Sequence, residues 1–268
     1  GISALGGNVY IPHDGFAGVN GINYFAKGYF SGTYDGNWIN FNDQTQANFI
    51  DADSTYDAVS VFIDPKDPNH SFVGTYSYKG LYEIQDGNII GVWDETNSAI
   101  TSAGISGYNS ISALDYDDKG NLWMINSKSL EPLVVKESDG TWRRFDLGSA
   151  MKSRNIYDVE ASKSGYVWVA APTGNNTGGL MVYNYNETID DISDDEYFLY
   201  TIGSGLGNLP SQDVKCVTED LDEEIWIGTA NGIAVVYAQE SVFTGGNADA
   251  QQILIEQDGN VQILLENE

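Results

Sequence analysis

Apolar and polar residues alternate through Asp213 to Tyr237 (DVKCVTEDLDEEIWIGTANGIAVVY). Successive side chains of a strand point to opposite faces, so this alternation predicts β-strands. The acidic turn before Glu224 and the Asn231-Gly232 turn divide them into three. The same grammar returns upstream. Ala58 to Pro65 is followed by HSFVGTYSYKGLYEI, Ile111 to Asp118 by KGNLWMINS, and Ile156 to Lys163 by SGYVWVAAPTGNNTGGLMVY. A further strand is legible in Asp35 to Phe41, Gly87 to Trp93, Asp139 to Phe145 and Tyr197 to Ile202. The Asp-Gly and Gly-Asn pairs that open the first three suit tight hairpins.

Aligning the copies places one large aromatic in each second strand: Phe72, Trp123, Trp168 and Trp226, at separations of 51, 45 and 58 residues. Four short strands repeated at roughly 40 to 50 residues predict an all-β fold, a β-propeller of about five four-stranded blades. The blades are expected near residues 1–57, 58–110, 111–155, 156–213 and 214–268 of a single domain. Adjacent blades diverge like wedges, and the aromatics are expected to fill the gap. Gly80, Gly179 and Gly232 fall in the turn to the third strand, where a positive φ is expected.

The first segment contains ISALGG as a weak inner strand, then GNVYIPHDG, GINYFAKGYF and GNWINF. The last, Gln251 to Glu268, reads as a hairpin about Asp258-Gly259-Asn260. A propeller must close or leave a sheet edge open to another chain. Either the terminal strands share a blade or the chain is an arc of a larger propeller. Insertions at Asn184 to Glu196 and Ala238 to Ala250 read as solvent loops. Long connections before the inner strands gather on one face, the expected binding face. Tyr76, Tyr78, Tyr108, Asn109, Arg154, Asn155, Asn175, Asn176, Asn208 and Asn231 supply it with aromatic platforms and amide rims, the kit of carbohydrate and peptide sites.

Charge narrows the partners. With 39 acidic against 12 basic residues the formal net charge is −27. Such a surface repels phosphate backbones and anionic lipid, so nucleic acid is excluded as a partner. Cys216 is the single cysteine, lies in an apolar strand pattern and reads as a small buried hydrophobe. No run approaches the roughly 18 apolar residues of a membrane span.

The stretch Gly205 to Val236, with Trp226-Ile227-Gly228-Thr229 and Gly232-Ile233 at its centre, resembles the two-component regulator propeller repeat. That resemblance implies the periplasmic sensor of a hybrid two-component system that detects glycans. Trp123 and Trp168 keep the aromatic without the Gly-Thr, and Gly74-Thr75 keeps the pair behind Phe72. Over more of the chain, VFIDPKDPNHSFVGTYSYKGLYEI, GNLWMINS and NGIAVVYAQESVF with QDGNVQILLENE occur in the order found in the PorZ-like propeller proteins associated with type IX secretion. This resemblance implies an internal fragment of an exported protein. Its place would be the periplasm or cell surface of a gram-negative bacterium, with a protein partner, a glycan or lipopolysaccharide as ligand. No functional residue transfers, because the matching positions are structural.

Chemistry-bearing patterns are sparse. His13 and His70 are the two histidines, and neither sits in a nucleophile, phosphate-loop or Cys/His metal pattern. Calcium is the one candidate cofactor. Asp190, Asp191, Asp194 and Asp195, beside Glu196, supply hard oxygen ligands, and Asp115, Asp117, Asp118, Gly120 and Asn121 resemble a calcium loop with Asn126 where the closing acid belongs. Asp115, Asp158, Glu160 and Glu219 are too scattered for a lyase or hydrolase. The reading is therefore a non-catalytic scaffold that binds through its loops, with the ligand-sensing propeller as the alternative.

Overall fold

The computed structural model describes residues 2–12, 30–41, 45, 58–104, 106–152, 155–174, 177–246, 248–257 and 260–265. Two compact units divide the chain, Gly1–Asp146 and Leu147–Glu268.

The first unit holds three antiparallel meanders. β1 (Ser3–Leu5), β2 (Asn8–Pro12), β3 (Phe30–Tyr34) and β4 (Asn37–Phe41) pair in order, so the weak ISALGG segment does supply an inner strand. β5 (Ala58–Ile63), β6 (His70–Ser77), β7 (Leu81–Gln85) and β8 (Asn88–Trp93) form the next, and β9 (Asn109–Tyr116), β10 (Leu122–Asn126), β11 (Leu133–Lys136) and β12 (Trp142–Phe145) the third. The long β6 joins these two sheets: Tyr76 and Ser77 at its end pair with Ser110 and Asn109 of β9.

Burial follows the alternation. Tyr10 and Phe41 of the first sheet pack with Val61, Ile63, Tyr82 and Ile84 of the second. Phe72 and Leu81 pack with Leu114, Leu122, Met124 and Val134 of the third. Phe72 thus faces the following sheet, the position expected of a wedge-filling ring. Trp123 is fully buried, its ring centroid 5.6 Å from that of Phe145.

The second unit contains β13 (Asp158–Ala161), β14 (Tyr166–Gly174), β15 (Thr177–Asn184) and β16 (Glu196–Tyr200) as one sheet. β17 (Val214–Glu219), β18 (Ile225–Thr229), β19 (Gly232–Val236) and the two-residue β20 (Gln251–Gln252) form another. Trp168, Ala170, Leu180, Val182 and Tyr200 pack against Val214, Val217, Ile225, Ile227, Ala234 and Val236. β21 (Leu254–Gln257) and β22 (Asn260–Ile263) pair with each other as the expected terminal hairpin, in a separate two-stranded sheet. Asp258 and Gly259 of its turn lie outside the described residues.

Three expectations need correction. The segment 238–250 is not a plain solvent loop. Gln239 is buried, α1 (Ser241–Thr244) follows, and Phe243 lies against Tyr166 with centroids 5.3 Å apart. Apolar Val242 and Phe243 at adjacent positions are what draw it onto the sheet. Cys216 is exposed, because β17 turns Val214 and Val217 to the core and a bulge between Val214 and Cys216 shifts the intervening register. Trp226 is only half-buried, whereas Phe72, Trp123 and Trp168 are at most 1% exposed. It lies opposite Thr218 and Val235, on the other face of the sheet from the residues that meet Trp168.

The Gly-Thr and third-strand Gly of the repeat have physical causes. Thr75 Oγ1 donates to Gly80 O at 3.0 Å and Thr229 Oγ1 to Gly232 O at 2.8 Å, closing the turn between second and third strands. Gly80, Gly179 and Gly232 have φ of 58°, 134° and 116°. At Gly179 a Cβ would also stand 2.3 Å from Tyr200 O, so the outer strand can end there only beside a glycine.

Candidate functional site

Two places in the first unit gather polar chemistry, at opposite ends of β6 and β9. At the end where β6 leaves for β7, the rings of Tyr78 and Tyr108 meet edge to face with centroids 5.8 Å apart. The Tyr108 hydroxyl donates to Tyr76 O at 3.1 Å, and Asn109 Nδ2 donates to Tyr78 O at 3.3 Å and Gly107 O at 3.1 Å. Tyr78 is 41% exposed, Tyr76 and Tyr108 are half-buried, and Asn109 is buried. Four predicted face residues are therefore brought together. Tyr78 presents ring surface, and Asn109 acts by fixing the backbone beneath it. Lys79, next along, pairs with Asp94 at 3.2 Å.

In the second unit Asn155 and Asn231 are exposed. Asn208, at φ 54°, is held by its Nδ2 to Ala250 O at 3.1 Å. Arg154, Asn175 and Asn176 lie outside the described residues, as does His13.

The acidic loop does not bring its carboxylates to one point. Asp191 accepts from Ser193 N at 3.0 Å and Ser193 Oγ at 2.6 Å, Asp194 accepts from Thr188 Oγ1, and Asp195 accepts from the Tyr183 hydroxyl. Asp190 shares the loop. Burial and the charges of Asp194 and Asp191 outweigh the Tyr183 bond and raise the Asp195 carboxyl above the usual range. Among the described residues no three His, Cys, Asp or Glu side chains converge as a metal set. The segment that resembles a second calcium loop has another use for its acid. Asp117 accepts from Asn121 N and Nδ2, both at 2.8 Å, and from Trp123 Nε1 at 3.0 Å. Asp158 accepts from Val217 N at 3.1 Å, and Glu219 accepts from Gln239 Nε2 at 3.0 Å and from Lys163 N. These acids stitch strands together.

The other end of β6 and β9 carries a cluster that sequence reading did not assemble. His70 Nδ1 lies 3.1 Å from Asp64 Oδ2, and Nε2 lies 3.0 Å from Glu83 Oε1. Glu83 also accepts the Trp93 indole N–H at 2.8 Å and stands 4.0 Å from Lys136 Nζ. Burial alone would lower the His70 pKa, but the bonds and charges of Glu83 and Asp64 outweigh it and raise it above the ordinary histidine value. Burial opposes the charge on Glu83 as well, and His70, Lys136 and Trp93 together still hold it below the usual carboxylate range. The Tyr116 hydroxyl is pushed up by burial and by nearby Asp64 and Glu83. The signal in the sequence was slight: a histidine at the start of a strand, six residues after an aspartate.

Repeated four-stranded meanders stacked on large buried aromatics define this chain as a β-propeller protein. No family model matches it, and no curated protein matches its sequence. Its fold is similar over 99% of its length to PorZ, a bacterial surface component of the type-IX secretion system of Porphyromonas gingivalis, with a TM-score of 0.80 and 23% identity over 36% of that chain. It is similar over 87% to the extracellular domain assigned to a hybrid two-component system of B. thetaiotaomicron, with a TM-score of 0.52 and 18% identity over 30% of that chain. Virginiamycin B lyase from Staphylococcus aureus shares the fold with a TM-score of 0.62 and 12% identity, over 96% of this chain and 70% of that one. The chain spans about a third of the length of the first two structures.

Proposed function

We propose that this chain is a non-catalytic β-propeller scaffold of the bacterial envelope that binds a partner protein or surface glycan through its loop end. The observation that carries the reading is the Tyr78–Tyr108 pair, an aromatic platform in which the exposed Tyr78 has its carbonyl held by Asn109 and the half-buried Tyr108 has its hydroxyl anchored on Tyr76 O. Amphipathic rings on a rigid support contribute contact area at little cost in conformational entropy, whether the ligand is a sugar face or a protein loop. Likeness to a surface component of a secretion system supports the location and the scaffold role.

The chemistry of the acids and of His70 supports a non-catalytic reading. A general base needs a free lone pair facing its substrate. Both ring nitrogens of His70 are engaged by carboxylates, and the raised pKa favours the imidazolium, which has no lone pair to offer.

Likeness to the extracellular domain of a two-component system favours one second reading, a sensor whose ligand binds the same loop end. Titrating glycans against the chain with and without Tyr78→Ala tests the site common to both. Sequence beyond Glu268 separates them, since a membrane helix leading to a kinase belongs to the sensor alone.

A further inference from the structure

Each of the sheets β9–β12 and β17–β20 has an aspartate six residues before its second-strand tryptophan, and the indole N–H is anchored on it. In the sheet β5–β8 the equivalent pair is Lys66 and Phe72. A phenyl ring is smaller than an indole and needs no acceptor. Beside this pair lies a cavity of about 230 Å³ lined by Phe72, Lys66 and the turns of the neighbouring sheet. That volume would hold roughly eight waters at about 30 Å³ each, below the usual range for drug-sized ligands and suited to a small ion or one short acid.

The lining is cationic in a chain that is otherwise strongly acidic. Of only 12 lysines and arginines, Lys66, Lys119 and Lys136 line this one cavity, together with His70. The carboxylates in its wall are Asp64 and Glu137. Both are already engaged: Asp64 with His70 at 3.1 Å and with Lys66 N at 2.8 Å, Glu137 with Arg143 Nε at 2.7 Å. Lys66 Nζ is held by a neutral group, the Asp118 carbonyl at 3.1 Å. Lys136 Nζ stands over the Phe72 ring, 5.6 Å from its centroid, and meets Glu83 at the long distance of 4.0 Å. Phe72 and Leu122 close the cavity with apolar surface, which strengthens the field of these cations by excluding water.

We propose that this cavity is a binding site for a small oxyanion, a phosphate or a short carboxylate, gripped by Lys66, Lys119 and Lys136. His70 is a positioning residue: clamped between Asp64 and Glu83, it takes up the two acids that would otherwise repel the ligand. The site lies at the opposite end of β6 and β9 from Tyr78 and is independent of the loop-end reading.

Calorimetric titration of the 268-residue chain with inorganic phosphate, and separately with succinate, at low salt and neutral pH tests it. Saturable binding of either anion is expected, and the arm that responds assigns the class. Lys136→Met and Lys119→Met should each weaken binding roughly ten-fold or more, the worth of one charge-assisted hydrogen bond, while Lys215→Met leaves it unchanged. Lys119 is exposed on a turn, so its variant folds even where the Lys136 variant does not. Absence of saturable heat with both anions, or wild-type binding by Lys119→Met, overturns the proposal.

Discussion

Asp117 accepts the indole N–H of Trp123 six residues on, at 3.0 Å, and Asp220 accepts that of Trp226 at 2.8 Å. In both blades the same carboxylate also closes the turn between first and second strands, taking Asn121 N at 2.8 Å in one and Glu224 N at 3.0 Å in the other. One acid thus fixes both the hairpin and the orientation of the large ring. In the sheet β13–β16 the position is Ser162, and Trp168 Nε1 instead reaches Gln239 at 3.1 Å, which explains why segment 238–250 folds inward.

Asp117→Ala should leave three donors short of their acceptor around a buried indole. A loss of about 2 to 4 kcal/mol in urea unfolding is expected, given that hydrogen bonds to charged groups contribute about 1.5 to 3 kcal/mol each and do not add fully. Asp118→Ala, at an exposed neighbour, should change stability by less than about 0.5 kcal/mol. Equal effects would contradict the anchoring role.

The tryptophans should separate by burial. Trp168→Ala removes a fully buried ring from the core between two sheets, and about 3 to 5 kcal/mol should be lost. Trp226→Ala, on the half-buried face, should cost about half as much or less, because its ring keeps part of its surface in water. Matching shifts in melting temperature for the two variants would show that Trp226 is covered like the others.

Gly179→Ala should destabilise by more than Gly140→Ala. Both glycines have positive φ, 134° and 91°, but a Cβ at Gly179 meets Tyr200 O at 2.3 Å while at Gly140 it meets nothing within 4 Å. The strain of an L residue at positive φ, of order 1 kcal/mol, is common to both. The collision is not, so chemical denaturation of the two variants should differ by at least about 1 kcal/mol.

The period was legible because one large aromatic between apolar neighbours recurs in each second strand, at Phe72, Trp123, Trp168 and Trp226; that Trp226 sits on the other, half-buried face of its sheet was not. Gly74-Thr75 and Gly228-Thr229 were legible as motif, and the Thr to Gly carbonyl bond supplies their cause. Less could be read where contacts cross long separations. Gln239 reaches Trp168 across 71 residues, and nothing local to Gln239 signals burial. The cavity by His70 draws its lining from turns of two blades, so its cations are unremarkable one at a time in the sequence. At the loop end the tyrosines were legible as candidates, but only the fold shows Tyr78 exposed and Asn109 buried.

The His70 clamp predicts a pH dependence. With a folded-state pKa above the unfolded value of about 6.5, the stabilisation from protonated His70 beside Asp64 and Glu83 is fully present below that value. It is lost as pH rises through the folded pKa. Tyr116, which faces the same acids, has its hydroxyl pushed up by burial and by Asp64 and Glu83, so it does not lose its proton in that window. The melting-temperature difference between wild type and His70→Gln should therefore be larger at pH 6 than at pH 9. A difference that grows with pH would show that His70 is held neutral.

The loop-end platform is tested most directly by a glycan array and an envelope-protein pull-down, run in parallel on wild type, Tyr78→Ala and Tyr197→Ala. Tyr197 is also exposed, at 58%, but belongs to the outer strand β16 of the second unit. The account predicts a ligand bound by wild type and Tyr197→Ala and weakened at least ten-fold by Tyr78→Ala, as loss of an aromatic anchor would do. A ligand retained equally by all three proteins would contradict it.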